Sequence, residues 1–135
     1  MPAPIRRKIN RKYRDLDLDM LVHPHTGDLV ARVDDSAINA SLMAIIKTKK
    51  GEKPFDPNFG STIYNSLFEP FHPTTSLSLQ ARIKSTINIQ EPRVKLHSVV
   101  VDANESKNGY SVTITYSPIN ENRVVDMIFF LERLR

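Results

Sequence analysis

Asn108-Gly109-Tyr110-Ser111-Val112-Thr113-Ile114-Thr115-Tyr116-Ser117 is the stretch on which the fold turns. Tyr110, Val112, Ile114 and Tyr116 lie on one face of an extended segment, and Ser111, Thr113, Thr115 and Ser117 on the other. That period of two is the mark of a half-buried strand. Asn108-Gly109 ahead of it signals a hairpin, because both residues tolerate positive φ. On the far side of that turn, Val94, Leu96 and Val100 alternate with Lys95 and His97 in a preceding strand. Beyond it, the turn Ser117-Pro118-Ile119-Asn120-Glu121-Asn122 leads into Arg123 to Leu134, which is apolar on both faces over Met127 to Leu131 and so asks for cover on both sides.

Upstream of Arg93 the apolar period is about 3.6. Ile38, Leu42, Ile45 and Ile46 follow Asp34, Asp35 and Ser36, whose oxygens and charge suit a helix N-terminus. That helix is expected to end near Thr48, with Lys47, Lys49 and Lys50 at the negative end of its dipole and Gly51 as its terminator. Ser61 or Thr62 caps a short helix holding Ile63, Leu67 and Phe68, which stops at Glu69-Pro70. Thr74 and Thr75 open a longer helix with Leu79, Ile83 and Ile87 on one stripe and Leu77 beside it. It must end near Gln90, because Pro92 lacks a backbone donor and disfavours helical geometry at Glu91. The expected fold is therefore α+β: two main helices and a short helix packed on a three-stranded antiparallel β meander. Such a sheet has two edges, each a template for a strand from another chain.

Between the first two helices lies Lys49-Lys50-Gly51-Glu52-Lys53-Pro54-Phe55-Asp56-Pro57-Asn58-Phe59-Gly60. Pro54 and Pro57 fix φ and extend their predecessors, while Gly51 and Gly60 supply angles that other residues resist. An ordered connector is expected, a rigid frame from which Phe55 and Phe59 plug a core or a partner.

At 135 residues the chain is the size of one domain. With no cysteine it has neither a disulfide framework nor a thiolate metal site. No run is long and apolar enough for a membrane span or a secretion signal, so neither export by that route nor membrane insertion is expected. The net charge of +4 is unevenly placed. Arg6, Arg7, Lys8, Arg11, Lys12 and Arg14 precede the first acidic residue, leaving 13 basic and 15 acidic residues for the near-neutral remainder. Residues 1–28 are read as a basic arm and lead-in, and 29–135 as the folded domain. The arm suits an acidic groove or a phosphate backbone, but Tyr13 is its one aromatic and no basic-aromatic motif follows, so specific nucleic-acid binding is not expected. Leu16-Asp17-Leu18-Asp19-Met20-Leu21 is either extended or a solvated lead-in. His23, His25 and Asp28 sit in a turn, and no further ligands at metal spacing accompany them; no metal or other cofactor is expected.

The run Ile45-Ile46-Lys47-Thr48-Lys49-Lys50-Gly51-Glu52-Lys53-Pro54-Phe55-Asp56-Pro57-Asn58-Phe59-Gly60, then Leu67-Phe68-Glu69, then Glu91-Pro92-Arg93 after a long helix, closely resembles the small baseplate wedge subunit of contractile-tailed phages. Relatives of that family occur in type VI secretion and contractile bacteriocin particles. The resemblance covers about residues 34 to 135. It implies a virion structural protein, assembled in the host cytoplasm, with six copies around the tube. Each copy would bind the helical core subunits of its wedge and offer its sheet to the tail sheath protein by strand addition, helping to start the sheath. It also implies that Glu91, Pro92 and Arg93 hold the subunit to the wedge core. Pro92 makes the helix-to-strand turn sharp, so Glu91 and Arg93 project from a fixed point, where the arginine can grip a partner carboxylate with two prongs. On that view Arg93→Ala leaves the isolated fold nearly intact.

The family is sometimes labelled lysozyme-like, which raises a glycosidase as the rival. That chemistry needs two carboxylates about 5 to 9.5 Å apart, one with a raised pKa. Glu69 and Glu91 are the nearest candidates, but each abuts a proline at a helix end. With 7% aromatics and no tryptophan there is no sugar platform. No enzyme is expected.

Overall fold

The computed structural model describes residues 13–119 and 121–133; the arm residues Arg6, Arg7, Lys8, Arg11 and Lys12 lie outside them. The elements are β1 (Arg14–Leu16), β2 (Ala31–Val33), α1 (Asp35–Lys47), α2 (Ile63–Ser66), α3 (Pro73–Gln90), β3 (Val94–Asn104), β4 (Gly109–Pro118) and β5 (Val125–Glu132). β3, β4 and β5 form an antiparallel meander in that order, and β1 pairs with β2 in a separate hairpin. α3 packs on β3 and α1 packs on α3. One core joins Ile38, Leu42 and Ile46 of α1, Leu79, Ile83 and Ile87 of α3, and Tyr110, Val112, Ile114 and Tyr116 of β4. The fold is α+β.

β4 carries the stripe that its period of two demands, with all four of those residues fully buried. The Tyr116 hydroxyl donates to Asn39 Oδ1 at 2.7 Å, which ties α1 to the sheet. Burial pushes that phenol up to about 12, with Asp35 adding to the effect. In β3 the expected face is only half correct. Leu96 pairs with Tyr116 and Ser98 with Thr115, so His97 is an extra residue opposite no partner. This bulge reverses the phase of everything after it. Val99 and Val101 point into the core, and Val100, expected inside, is exposed. β5 likewise buries Met127, Phe129 and Leu131 while Ile128 and Phe130 stay exposed. Of the two covers that its sequence asks for, the described chain supplies one.

Two turn assignments also change. The connection from β3 to β4 is a four-residue loop, 105–108, in which Asn108 has φ 50°. Gly109 already belongs to β4 and has no positive φ; it is needed for space. A Cβ there would run into the Phe130 ring and the Leu131 carbonyl. Asp34 does not cap α1 with its side chain. Its carboxylate accepts from Tyr13 N at 3.5 Å and its own N–H donates to Tyr13 O at 2.9 Å, binding the start of β1 to the end of β2. α3 instead opens on His72, whose ring accepts from Thr74 N.

Gly109→Ala is expected to cost about 1–3 kcal/mol through overpacking, seen as a Tm lower by several degrees in a thermal melt. Ile128→Ala on the open face should move the Tm hardly at all. Equal melts for the wild type and Gly109→Ala would refute the close approach.

Candidate functional site

α3 ends because Pro92 cannot continue it, and Glu91 becomes its last half-helical residue with φ −119° and ψ 89°. The chain then turns directly into β3. This puts the Glu91 carboxylate beneath the surface, 3% exposed, with Arg93 beside it. Arg93 Nε donates to Glu91 Oε1 at 2.8 Å and Nη2 donates to Oε2 at 3.0 Å. The backbone N–H of Arg93 adds a bond at 3.3 Å, and Ser41 of α1 donates its hydroxyl to Oε2. The third side of the guanidinium faces Asp15 of β1, with Nη1 at 3.1 Å from Oδ2. The Tyr13 ring lies 5.8 Å from the guanidinium carbon.

Two expectations are therefore corrected: Glu91 does not project from the turn but is buried, and the fork of Arg93 is not open to a partner. Both prongs are closed on Glu91, because a buried carboxylate without charged hydrogen-bond partners would cost several kcal/mol. Burial, the largest influence, pushes the Glu91 carboxyl up. The hydrogen bonds from Arg93 and Ser41 and the attraction of the guanidinium together outweigh it, so the net shift is downward. Arg93 is correspondingly held in its charged form, first by its bonds to Glu91 and then by Asp15. What the cluster offers outward is the Nη1 edge, shared with the half-exposed Asp15. Asp15, Ser41 and Tyr13 were invisible to sequence reasoning, since no spacing rule connects positions 15 or 41 with 93.

Asp15 belongs to a hairpin that begins at Tyr13, so the arm-to-domain boundary drawn at residue 28 crosses a paired unit. Asp17 N–H donates to Val30 O at 3.1 Å, and the Asp17 carboxylate accepts from Arg32 Nε at 3.0 Å. Arg14, grouped with the basic arm, sits in β1 opposite Val33 and is exposed. The alternation read at Leu16 to Leu21 is thus extended at its start, and Leu16, Leu18, Met20 and Leu21 are all exposed. Leu16 and Leu18 wall a groove of about 270 Å³ whose other side is Ala40, Ser41 and Ala44 of α1.

The connector between α1 and α2 is ordered, but not by its aromatics. α1 already ends at Lys47, so Gly51 does not terminate it; with φ 83°, Gly51 turns the connector and donates to Pro57 O at 3.0 Å. Ser61 N–H donates to Thr48 O at 2.8 Å and Ser61 Oγ to Ile46 O at 2.7 Å. Gln90 then clamps the connector to α3: its Oε1 accepts from Gly60 N at 2.9 Å and its Nε2 donates to Gly60 O at 2.7 Å. Gly60 has φ 102° and lies so close to Thr48 that a Cβ would meet its carbonyl at 2.5 Å. Pro54, Phe55 and Pro57 form the exposed tip. Of the two places offered for Phe55, a core or a partner, the core is ruled out: it is fully exposed with φ 64°. The tip faces away from the core because backbone bonds and Gln90 already close the base. Phe59 is half-buried under Lys53 Nζ, 4.2 Å from its ring centroid.

The family model of baseplate wedge protein gp25 matches residues 32–123, about two thirds of the chain. The chain belongs to the baseplate wedge gp25 family. Baseplate wedge protein gp25 of Enterobacteria phage T4 is 36% identical over 86 residues, and the match spans 64% of each chain. A crystal structure of a candidate tail lysozyme from Geobacter sulfurreducens superposes with TM-score 0.68 at 24% identity, covering 73% of this chain and 89% of that one. A chain of the anti-feeding prophage baseplate superposes with TM-score 0.63 at 18% identity, covering 91% of this chain and 87% of that one. At such identities the two structures show a shared fold.

The internal pairing reverses what is expected of Arg93→Ala. Stripping the fork from a buried Glu91 should destabilise the isolated protein by about 2–3 kcal/mol. Since Glu91 titrates below its ordinary value when folded, its ionised form stabilises the fold above about pH 4.3. That contribution fades as the pH falls through the lowered pKa. The stability gap between wild type and Glu91→Gln, measured by denaturant unfolding, should therefore be constant from pH 8 to 5 and shrink below about 4. A gap independent of pH down to 3 would show that Glu91 is not held as an anion.

Proposed function

We propose that the chain is a structural subunit of a contractile tail baseplate wedge, six copies to a baseplate, joining the helical core of the wedge to the first ring of sheath and helping to start sheath assembly. The observation that carries this reading is the one-sided sheet. In a member of a baseplate wedge family, β3 and β5 leave both edges of the meander unpaired among the described residues, and the outer face carries Val100, Ile128 and Phe130 exposed. An apolar face beside a free strand edge is what strand addition by a sheath segment requires. The wedge core is engaged at the end of α3, through the Nη1 edge of Arg93, with Glu91 and Pro92 setting the position of the guanidinium. The protein belongs in the virion, and among the described residues no helix is long and apolar enough to cross a membrane.

The glycosidase alternative meets a specific objection. A general acid needs a carboxyl held protonated, with its pKa raised by its site. Glu91 is shifted the other way and is closed off by Arg93 and Ser41. Glu91 is thus unsuited to the general-acid role, and the reading adopted is a structural subunit.

Complementation of a tail lacking this subunit tests the proposal. Ile128→Asp, on the exposed face, should melt within about 0.5 kcal/mol of wild type and still enter wedges, yet fail to start sheath. Arg93→Lys keeps the charge beside Glu91 but loses the planar fork, and should remain folded while wedge capture falls. Normal sheaths on Ile128→Asp particles would remove the sheet from the proposal, and undiminished capture of Arg93→Lys would remove Arg93.

A further inference from the structure

The arginine on the far side of α3 differs from those at the hairpin, the helix-to-sheet junction and the start of α1. Arg32, Arg93 and Arg123 each meet a carboxylate: Asp17, Glu91 with Asp15, and Asp35 with Glu121. Arg82 meets only neutral oxygens. Its Nε donates to Ser78 Oγ at 3.3 Å and its Nη1 donates to Thr62 Oγ1 at 3.1 Å, while its Nη2 has no hydrogen bond to a described residue. The side chain is half-buried and held in place at two points, a guanidinium fixed in position without an anion among the described residues. It borders a groove of about 500 Å³ between α3 and the 48–62 connector. Lys50 stands on the connector side, likewise without an ion pair among the described residues, and no carboxylate lines the groove.

We propose that this groove receives a helix of another baseplate protein, one that sets a carboxylate against Arg82 and Lys50. Charge complementarity names the sign: two cations and several hydroxyls face the space, and a pre-positioned arginine is best matched by a carboxylate. Shape names the secondary structure. Ser78, Ala81 and Ser85 recur along the groove at helical spacing, rising about 10 Å over two turns, and their small side chains permit a close helix-to-helix approach of about 8 Å. At the end of this face Ile89 is 78% exposed, an apolar anchor on an otherwise polar helix side. A partner strand would find no edge there to pair with, because the backbone of α3 is internally bonded. Nucleic acid would find two cations and no ring lining the groove on which to stack. Gln90, which closes the connector on α3, fixes the width of the groove as well. The inference rests on the reading that the chain assembles with other baseplate proteins, and adds a surface separate from Arg93 and from the sheet.

The test is site-specific photocrosslinking. The full chain with a benzophenone amino acid at Ser85 is co-expressed with the wedge proteins of the same tail, and the crosslinked peptide is identified by mass spectrometry. The expected product joins position 85 to a partner helix with an Asp or Glu within one turn of the attachment point. Arg82→Gln, which still reaches Thr62 or Ser78, should cut the yield at least tenfold with an unchanged melt; Arg82→Lys should stay within about threefold of wild type. A crosslink to a second copy of this chain, to a loop or strand, or to nucleic acid overturns the proposal, as does a yield unchanged in Arg82→Gln. If wedge proteins are captured and position 85 crosslinks to nothing, the groove inference fails and the wedge reading stands. If wild type captures no wedge protein, both fall.

Discussion

A carboxylate that cannot reach water organises this protein. Glu91 is buried because Pro92 ends α3 and drives the chain straight into the sheet, leaving no room for the side chain to turn outward. Once there it must be compensated, and the compensation comes from three directions: Arg93 at the start of β3, Ser41 on α1, and, through the guanidinium, Asp15 on β1. One ionic cluster therefore fixes where α3 meets the sheet, how α1 lies on α3, and where the N-terminal hairpin docks. Hydrophobic burial of Leu79, Ile83 and Ile87 supplies the larger share of stability, at roughly 1.5–3 kcal/mol for each fully buried side chain. That burial is not directional. The Glu91 cluster is, because the bidentate geometry of arginine and carboxylate holds only in one arrangement.

The parts legible in the sequence are those governed by local periodicity. α3 runs from Pro73 to Gln90 between two breaks that prolines dictate, and β4 buries the four residues its alternation selects. The parts that were not legible share a cause: each depends on a partner distant in the chain. Val100 looks like a core residue until the bulge at His97 turns it outward, and nothing in residues 94 to 101 announces the bulge. Gly109 reads as a turn glycine, yet its requirement is set by Phe130 and Leu131 on the neighbouring strand β5, well further on in the chain. The rigid neighbours of Phe55 leave open whether it meets the core or a partner; whether a rigid loop points in or out is decided by its anchors, and those are Gln90 and Ser61.

The candidate site shows the same division. Pro92 as a sharp turn and Arg93 as a fixed donor follow from the triplet alone. That Arg93 spends its fork on its own neighbour does not, because sequence gives no burial for Glu91. The family assignment survives this correction, since it rests on residues 32–123 as a whole. Within the chain the triplet is a rigid mount, with the Nη1 edge of Arg93 shared with Asp15.

The distribution of satisfied and unsatisfied groups then separates internal chemistry from contact chemistry. The cations at the helix-to-sheet junction and the start of α1 are paired with carboxylates in the same chain, which leaves Arg93 only its Nη1 edge, shared with Asp15, toward the outside. Three described surfaces depart from this economy: the outer face of β5, the apolar crest of the β1–β2 hairpin, and the groove where Arg82 faces hydroxyls alone. Isolated exposed hydrophobic residues are ordinary. Ile128 and Phe130 on one strand face, and Leu16 with Leu18 beside the small residues of α1, are contiguous and so resemble halves of interfaces. A subunit that sits between neighbours needs several such faces at fixed angles, and a domain whose helices, sheet and hairpin converge on one buried ion pair holds those angles without requiring the neighbours to set them.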